Sequence, residues 1–188
     1  MIPLVLPNHF NINGNDYPIN TDYRDILEII SQLNDTSESN YVRTYLALAL
    51  FYDDFDSMNE SEHEEALNKL FWFIRCGVDE AEDIPSPKRI DWEQDMPLIV
   101  TDINKVSGCE IRALPELHWW TFMSWFESIG EGRLSTIVGM REKRRKGQKL
   151  EKWEQEFYYE NRSLIEFKRK YTLEELEEKE RINKLLGE

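Results

Sequence analysis

Residues 117–126 read Leu117-His118-Trp119-Trp120-Thr121-Phe122-Met123-Ser124-Trp125-Phe126, and how this block is covered decides the fold. Pro115 is expected to open the helix that carries this block, predicted from Glu116 to Ile129, on which the large side chains point in nearly every direction. Protein must cover both sides of such a helix, so it is the centre of a core or of an interface. Core is the ordinary role of an aromatic helix, while tryptophans also concentrate at binding hot spots. Trp119, Trp120, Trp125 and Phe126 are therefore candidate partner-binding residues as well as candidate core. His118 has no histidine or cysteine near it in the chain and is expected to be a hydrogen-bonded core residue, not a ligand or a base.

Downstream, a helix predicted from Leu134 to about Lys146 joins apolar Ile137, Val138 and Met140 to a basic cluster. Arg141, Lys143, Arg144, Arg145, Lys146 and Lys149 surround Gly147. Cations at a helix C-terminus offset the macrodipole and can pair with the chain's own carboxylates. The same residues could instead grip an acidic protein partner or a nucleic-acid phosphate, so they stand as candidate binding residues. Leu150, Trp153, Phe157, Leu164 and Phe167 predict one long helix. Thr172 and Glu175 form a capping box for a charged last helix whose Leu173, Leu176 and Leu185 are further candidate contacts.

Upstream, Phe10 and Ile12 face Tyr17 and Ile19 across Asn13-Gly14, the dipeptide of a tight hairpin turn. Asp22 is a candidate N-cap for an amphipathic helix from Tyr23 to Leu33. Tyr41 to Tyr52 is so apolar that it is predicted to be a central buried helix. The following carboxylates, from Asp53 to Glu65, lack the alternation and central glycine of an EF-hand and predict a solvated loop. Ser61 and Glu64 form a capping-box pattern for a third helix ending near Gly77, and 78–88, with Pro85 and Pro87, is the clearest connection. Beyond it, a helix carrying Pro97 in its first turn is predicted to stop at Gly108. Asp91 and Asp95, one helical turn apart, are expected to cap this helix and not to act as an acid–base pair.

The fold class is thus mainly α, a multi-helix bundle with a small N-terminal β-hairpin. One mostly helical domain spans 1–188, with a possible subdivision into 1–84 and 89–170 and a C-terminal helix over 171–188. The net charge of −14 argues against general affinity for nucleic acid or anionic membrane. That charge is unevenly placed: residues 1–110 hold 7 Lys/Arg against 22 Asp/Glu, and residues 111–188 hold 16 against 15. Such asymmetry could orient identical copies in self-association or steer an oppositely patterned partner. No glycine-rich phosphate loop or nucleophile elbow occurs, and the scattered histidines and cysteines have no metal-ligand spacing. Neither an enzyme, a cofactor nor a metal is therefore expected. The opening residues lack the pattern of a signal peptide and no apolar run would span a bilayer, so a cytoplasmic protein with reduced thiols is expected.

Asn13-Gly14 with Tyr17-Pro18-Ile19, Thr21-Asp22-Tyr23-Arg24, Asp91 to Asp95, Leu117-His118-Trp119-Trp120-Thr121-Phe122, and Ile137 to Arg141 leading into Lys146-Gly147-Gln148-Lys149-Leu150 resemble the bacteriophage gp-fifteen family. Gln148 stands where a lysine is usual in that family. The resemblance implies a protein encoded among the tail genes of long-tailed phages and prophages of Gram-positive bacteria. It further implies a role in tail assembly, as a chaperone or chaperone accessory that binds the tape-measure protein in the cytoplasm of the infected host. A structural minor component of the virion tail is the alternative, and a nucleic-acid-binding regulator is the third reading. The resemblance brings no catalytic residues.

Overall fold

In the computed structural model the described residues are 4–35, 37–79, 87–168 and 181–182. The predicted last helix, with Leu173, Leu176 and Leu185, lies outside them, apart from Arg181 and Ile182. The architecture is mainly helical with one N-terminal hairpin, as the patterning predicts.

Strands β1 (His9–Ile12) and β2 (Asn15–Pro18) pair antiparallel, with Ile12 opposite Asn15. Asn13 and Gly14 both take positive φ, 50° and 88°, which a two-residue turn with the twist of a hairpin requires. Alternation puts Phe10, Ile12 and Tyr17 on the buried side. Helix α1 (Tyr23–Leu33) starts at Asp22, whose carboxylate accepts the Arg24 amide. The same carboxylate accepts the Leu117 amide, and the Arg24 guanidinium donates to the Leu114 carbonyl, so one cap also stitches the start of α1 to the aromatic block. Burial alone would raise the Asp22 pKa, but the bonds from Arg24 and the Leu117 amide bring it below the ordinary value.

Helix α2 (Asn40–Phe51) packs between α1 and α3 (His63–Ile74). Here the structure corrects the expectation of a fully buried helix: Ala47, Leu48 and Phe51 are buried, whereas Tyr41, Tyr45, Leu46 and Leu50 face outward. The capping box before α3 also lies two residues earlier than predicted. Glu62 reaches back to the Asn59 amide, in a short 3-10 turn that leads into the helix.

Helix α4 (Trp92–Ser107) begins earlier than Pro97 suggested, because Asp91 caps it by accepting the Glu93 and Gln94 amides. Pro97 consequently sits in the second turn, and the helix stops at Gly108 as predicted. Helix α5 (Trp119–Glu127) is shorter than predicted because His118, not Pro115, is its cap: Nδ1 accepts the Trp120 amide at 3.1 Å. That leaves the proton on Nε2, which donates to the Pro7 carbonyl at 3.0 Å.

Helix α6 (Arg133–Arg145) packs on α4. The predicted long helix after it is broken into α7 (Lys152–Glu160) and α8 (Arg162–Ile165). Asn161 is the break, its side-chain amide donating to the Phe157 carbonyl and ending α7.

The main core draws on residues from Phe10 to Leu134. Phe10, Tyr23, Phe51 and Phe73 join Ile99, Ile103, Trp119 and Phe122 in one cluster. Tyr23 stacks on Phe122 with ring centroids 4.7 Å apart. Ile137, Met140 and Ile165 form a second, smaller cluster where α6 meets α8.

Candidate partner surface

The structure brings Trp119 and Trp120 into the core, where they are 1% and 7% exposed. Their indole N–H groups donate to the carbonyls of Ile74 and Phe73 at the end of α3; the Phe73 carbonyl also accepts the Cys76 amide, whereas that of Ile74 is an acceptor the helix end leaves open. Gly77, just beyond that end, has φ +79° and lies so close to Trp120 that a Cβ there would sit 2.9 Å from the ring. Both tryptophans are thus closed to a partner, because their rings and their only polar atoms are used inside the fold. Trp125 and Phe126 are half-buried against the same core, with Phe126 5.1 Å from the ring of Trp92. His118 is half-buried and hydrogen-bonded at both ring nitrogens.

The basic cluster is largely consumed by internal pairing. Arg141 is buried and makes a two-pronged ion pair with Asp95 of α4, at 2.6 and 2.8 Å. Its remaining donor capacity goes to the carbonyls of Arg89, Leu164 and Ile165, and its guanidinium lies 4.2 Å from the centre of the Phe167 ring. Lys143 pairs with Glu154, Arg144 with Glu166, and Arg145 and Lys146 with Glu142. Glu142 is held down to about 2 by hydrogen bonds from Arg145 and then Lys146. Glu154 is lowered by its bond from Lys143 and by the Glu151 amide. An open groove of about 460 Å³ lies here, lined by Lys88, Arg89, Arg144, Arg145 and Phe167 among others, but these cations already face carboxylates of the chain. Lys149 is exposed beyond the helix.

A surface missed by the sequence reading lies on α2. Tyr41, Tyr45, Leu46 and Leu50 are 72%, 42%, 38% and 39% exposed. With exposed Ala49 and half-buried Val42 they form an outward face without a charged residue. The one cation of the helix, Arg43, borders this face next to Leu46 and Leu50, its half-buried side chain folded back to donate to the Leu33 carbonyl at the end of α1. Positions 42, 45, 46, 49 and 50 follow the three-and-four spacing of a helix seam, with Ala49 small enough to let another helix approach closely. Phe55 meets the edge of Tyr45 at 5.1 Å, which folds the acidic turn after α2 back alongside the face.

Asp53, Asp54 and Asp56 in that turn are exposed and make no ion pair with any described residue. They also stand at the C-terminal end of α2, where the helix dipole is negative and the last turn holds no cation. Local electrostatics disfavours carboxylates at that place. The bundle therefore exposes apolar surface and keeps unfavourable charge at one site, the signature of a surface shaped by something other than stability.

Among the described residues no three His, Cys, Asp or Glu side chains gather as a metal site, and no helix is long and apolar enough to cross a membrane. Fold and surface together define an acidic, mainly helical protein whose unexplained feature is an exposed, uncharged helix face. The chain belongs to the bacteriophage Gp15 protein family, whose model matches residues 4–173. Comparison with curated proteins and with solved structures gives no match.

Proposed function

We propose that this phage protein is a tail-assembly chaperone, or an accessory to one, which holds the tape-measure protein until tube subunits surround it. The observation that carries the reading is the uncharged outward face of α2, an apolar helix surface that the protein's own core does not need. A long helical client with exposed apolar stripes aggregates through the same contacts that drive folding, and a binding protein that covers those stripes suppresses this. Several weak sites along one client hold it by avidity and release it when a polymerising tube offers more contacts. The work is binding, without catalysis, in the host cytoplasm.

Co-expression with the tape-measure protein of the same phage, followed by affinity purification, tests the reading. A soluble complex of the two is expected, and the protein is expected to be absent from finished virions by mass spectrometry. Precipitation of the tape measure while this protein elutes alone overturns it, and recovery of the protein in virions assigns it to the tail structure instead.

A further inference from the structure

We infer that the outward face of α2 is a docking seam for one kind of occupant, a basic amphipathic helix of another protein; this rests on the reading of a client-binding protein. The seam supplies shape: Tyr45, Leu46 and Leu50 stand around Ala49, so an incoming helix can lay an apolar ridge against a small residue flanked by larger ones. The rim supplies the sign of charge. Asp53, Asp54 and Asp56 have no cation of this chain beside them among the described residues, and they lie at the negative end of the helix dipole. Lysines or arginines flanking the apolar stripe of a partner would relieve that repulsion as they docked.

The same charges exclude the other occupants. Two copies meeting through this face would bring the unpaired carboxylates of both together on chains of net charge −14. The chain's own C-terminal stretch, residues 168–188, carries six Lys/Arg and six Glu, so it offers the rim no net positive charge. An anionic membrane is repelled by the same rim.

The test uses the full-length protein and two synthetic helices of about five turns, equal in length and apolar stripe, one flanked by lysines and one by glutamates. Binding is followed by calorimetry at low and moderate salt. The lysine-flanked helix is expected to bind and the glutamate-flanked one to bind at least tenfold more weakly. Leu46→Glu and, separately, Ala49→Glu are expected to abolish binding while the helical circular dichroism and the urea midpoint stay unchanged. Neutralising the rim with Asp53→Asn, Asp54→Asn and Asp56→Asn together is expected to weaken binding about tenfold and flatten its salt dependence. Equal binding of the two helices, binding that survives both seam substitutions, or a dimer in sedimentation that Leu46→Glu dissolves would each overturn the inference. If the lysine-flanked helix fails to bind while co-expressed tape measure still co-purifies, the docking seam is wrong and the chaperone reading stands. If the helix binds but tape measure is not captured, the seam stands and the chaperone reading is wrong.

Discussion

Replacing Arg141 with alanine is expected to destabilise the protein by about 3–5 kcal/mol, although the residue sits in what resembles a surface basic cluster. Both ends of its ion pair are out of solvent, with side chains 5% and 1% exposed for Arg141 and Asp95. Truncation leaves the Asp95 carboxylate with the Asp91 amide as its remaining donor and strips the Arg89, Leu164 and Ile165 carbonyls of their guanidinium partner. It also removes the cation over Phe167. A loss of this size is a large part of the roughly 5–15 kcal/mol that holds a domain folded. It corresponds to a melting temperature lower by about 10 °C for a chain of this length. Arg141→Lys keeps the charge but cannot present the two-pronged fork, so it is expected to recover less than half. A double replacement, Asp95→Leu with Arg141→Met, removes both charges and is expected to be more stable than either single change. Urea unfolding followed by tryptophan fluorescence measures Arg141→Ala, Arg141→Lys, the double variant and its two component singles. A loss below about 1 kcal/mol for Arg141→Ala, or a double variant no better than the singles, would refute the assignment of Arg141 to a structural latch.

Trp119→Ala is expected to lose about 3–5 kcal/mol in the same assay, whereas Trp153→Ala, at an exposed position, is expected to change stability by less than about 0.5 kcal/mol. Comparable losses at the two positions would contradict the burial described. The Glu142 carboxyl is expected to titrate at about 2, below its ordinary 4.5, because Arg145 and Lys146 hold the charged form. Since its folded value lies below the unfolded one, its stabilisation is complete above about pH 4.5 and is lost as the pH falls toward 2. Carbon-detected titration checks this, and a midpoint near 4.5 in the folded protein would be the contrary result. Burial, and then Glu127, push the Cys76 thiol up to about 11, so at pH 8 an alkylating reagent is expected to label exposed Cys109 well before Cys76. Equal labelling rates by mass spectrometry would show that Cys76 is more open than this fold allows.

Features governed by neighbours in the chain were legible before the structure. Asn13-Gly14 needs only its own backbone preferences to make a turn, and Asp22 caps α1 with an oxygen two residues from the amide it accepts. Features set by distant partners were not. Arg141 looks like any other member of its cluster until the fold brings Asp95, from the far side of the aromatic block, against it. His118 offered no sign that it, and not Pro115, would begin α5, because its role depends on Pro7 and Trp120 together. The α2 error has a different cause. An almost uniformly apolar run has no periodic contrast, so it says that the helix is apolar all round without saying whether the fold encloses it. The surviving signal was electrostatic: a run from Tyr41 to Tyr52 with one charge, Arg43, followed at once by Asp53 and Asp54.

That signal gives the charge asymmetry of the chain a physical meaning. The near-neutral second half does not present a basic field, because Lys143, Arg144, Arg145 and Lys146 each lie against a carboxylate of their own neighbourhood. Such exposed pairs contribute little to stability, but they cancel the local potential within about a Debye length. The acidic half has no matching supply of cations, and the turn after α2 illustrates it with Asp53, Asp54 and Asp56. The uncompensated negative charge thus lies in the half of the sequence that also supplies the uncharged helix face. Long-range attraction of a basic segment and short-range burial of its apolar stripe then act at the same place, one setting how fast the partner arrives and the other how long it stays. Under the proposed docking, a basic client is expected to be captured faster at low ionic strength and released by competition for its apolar stripe.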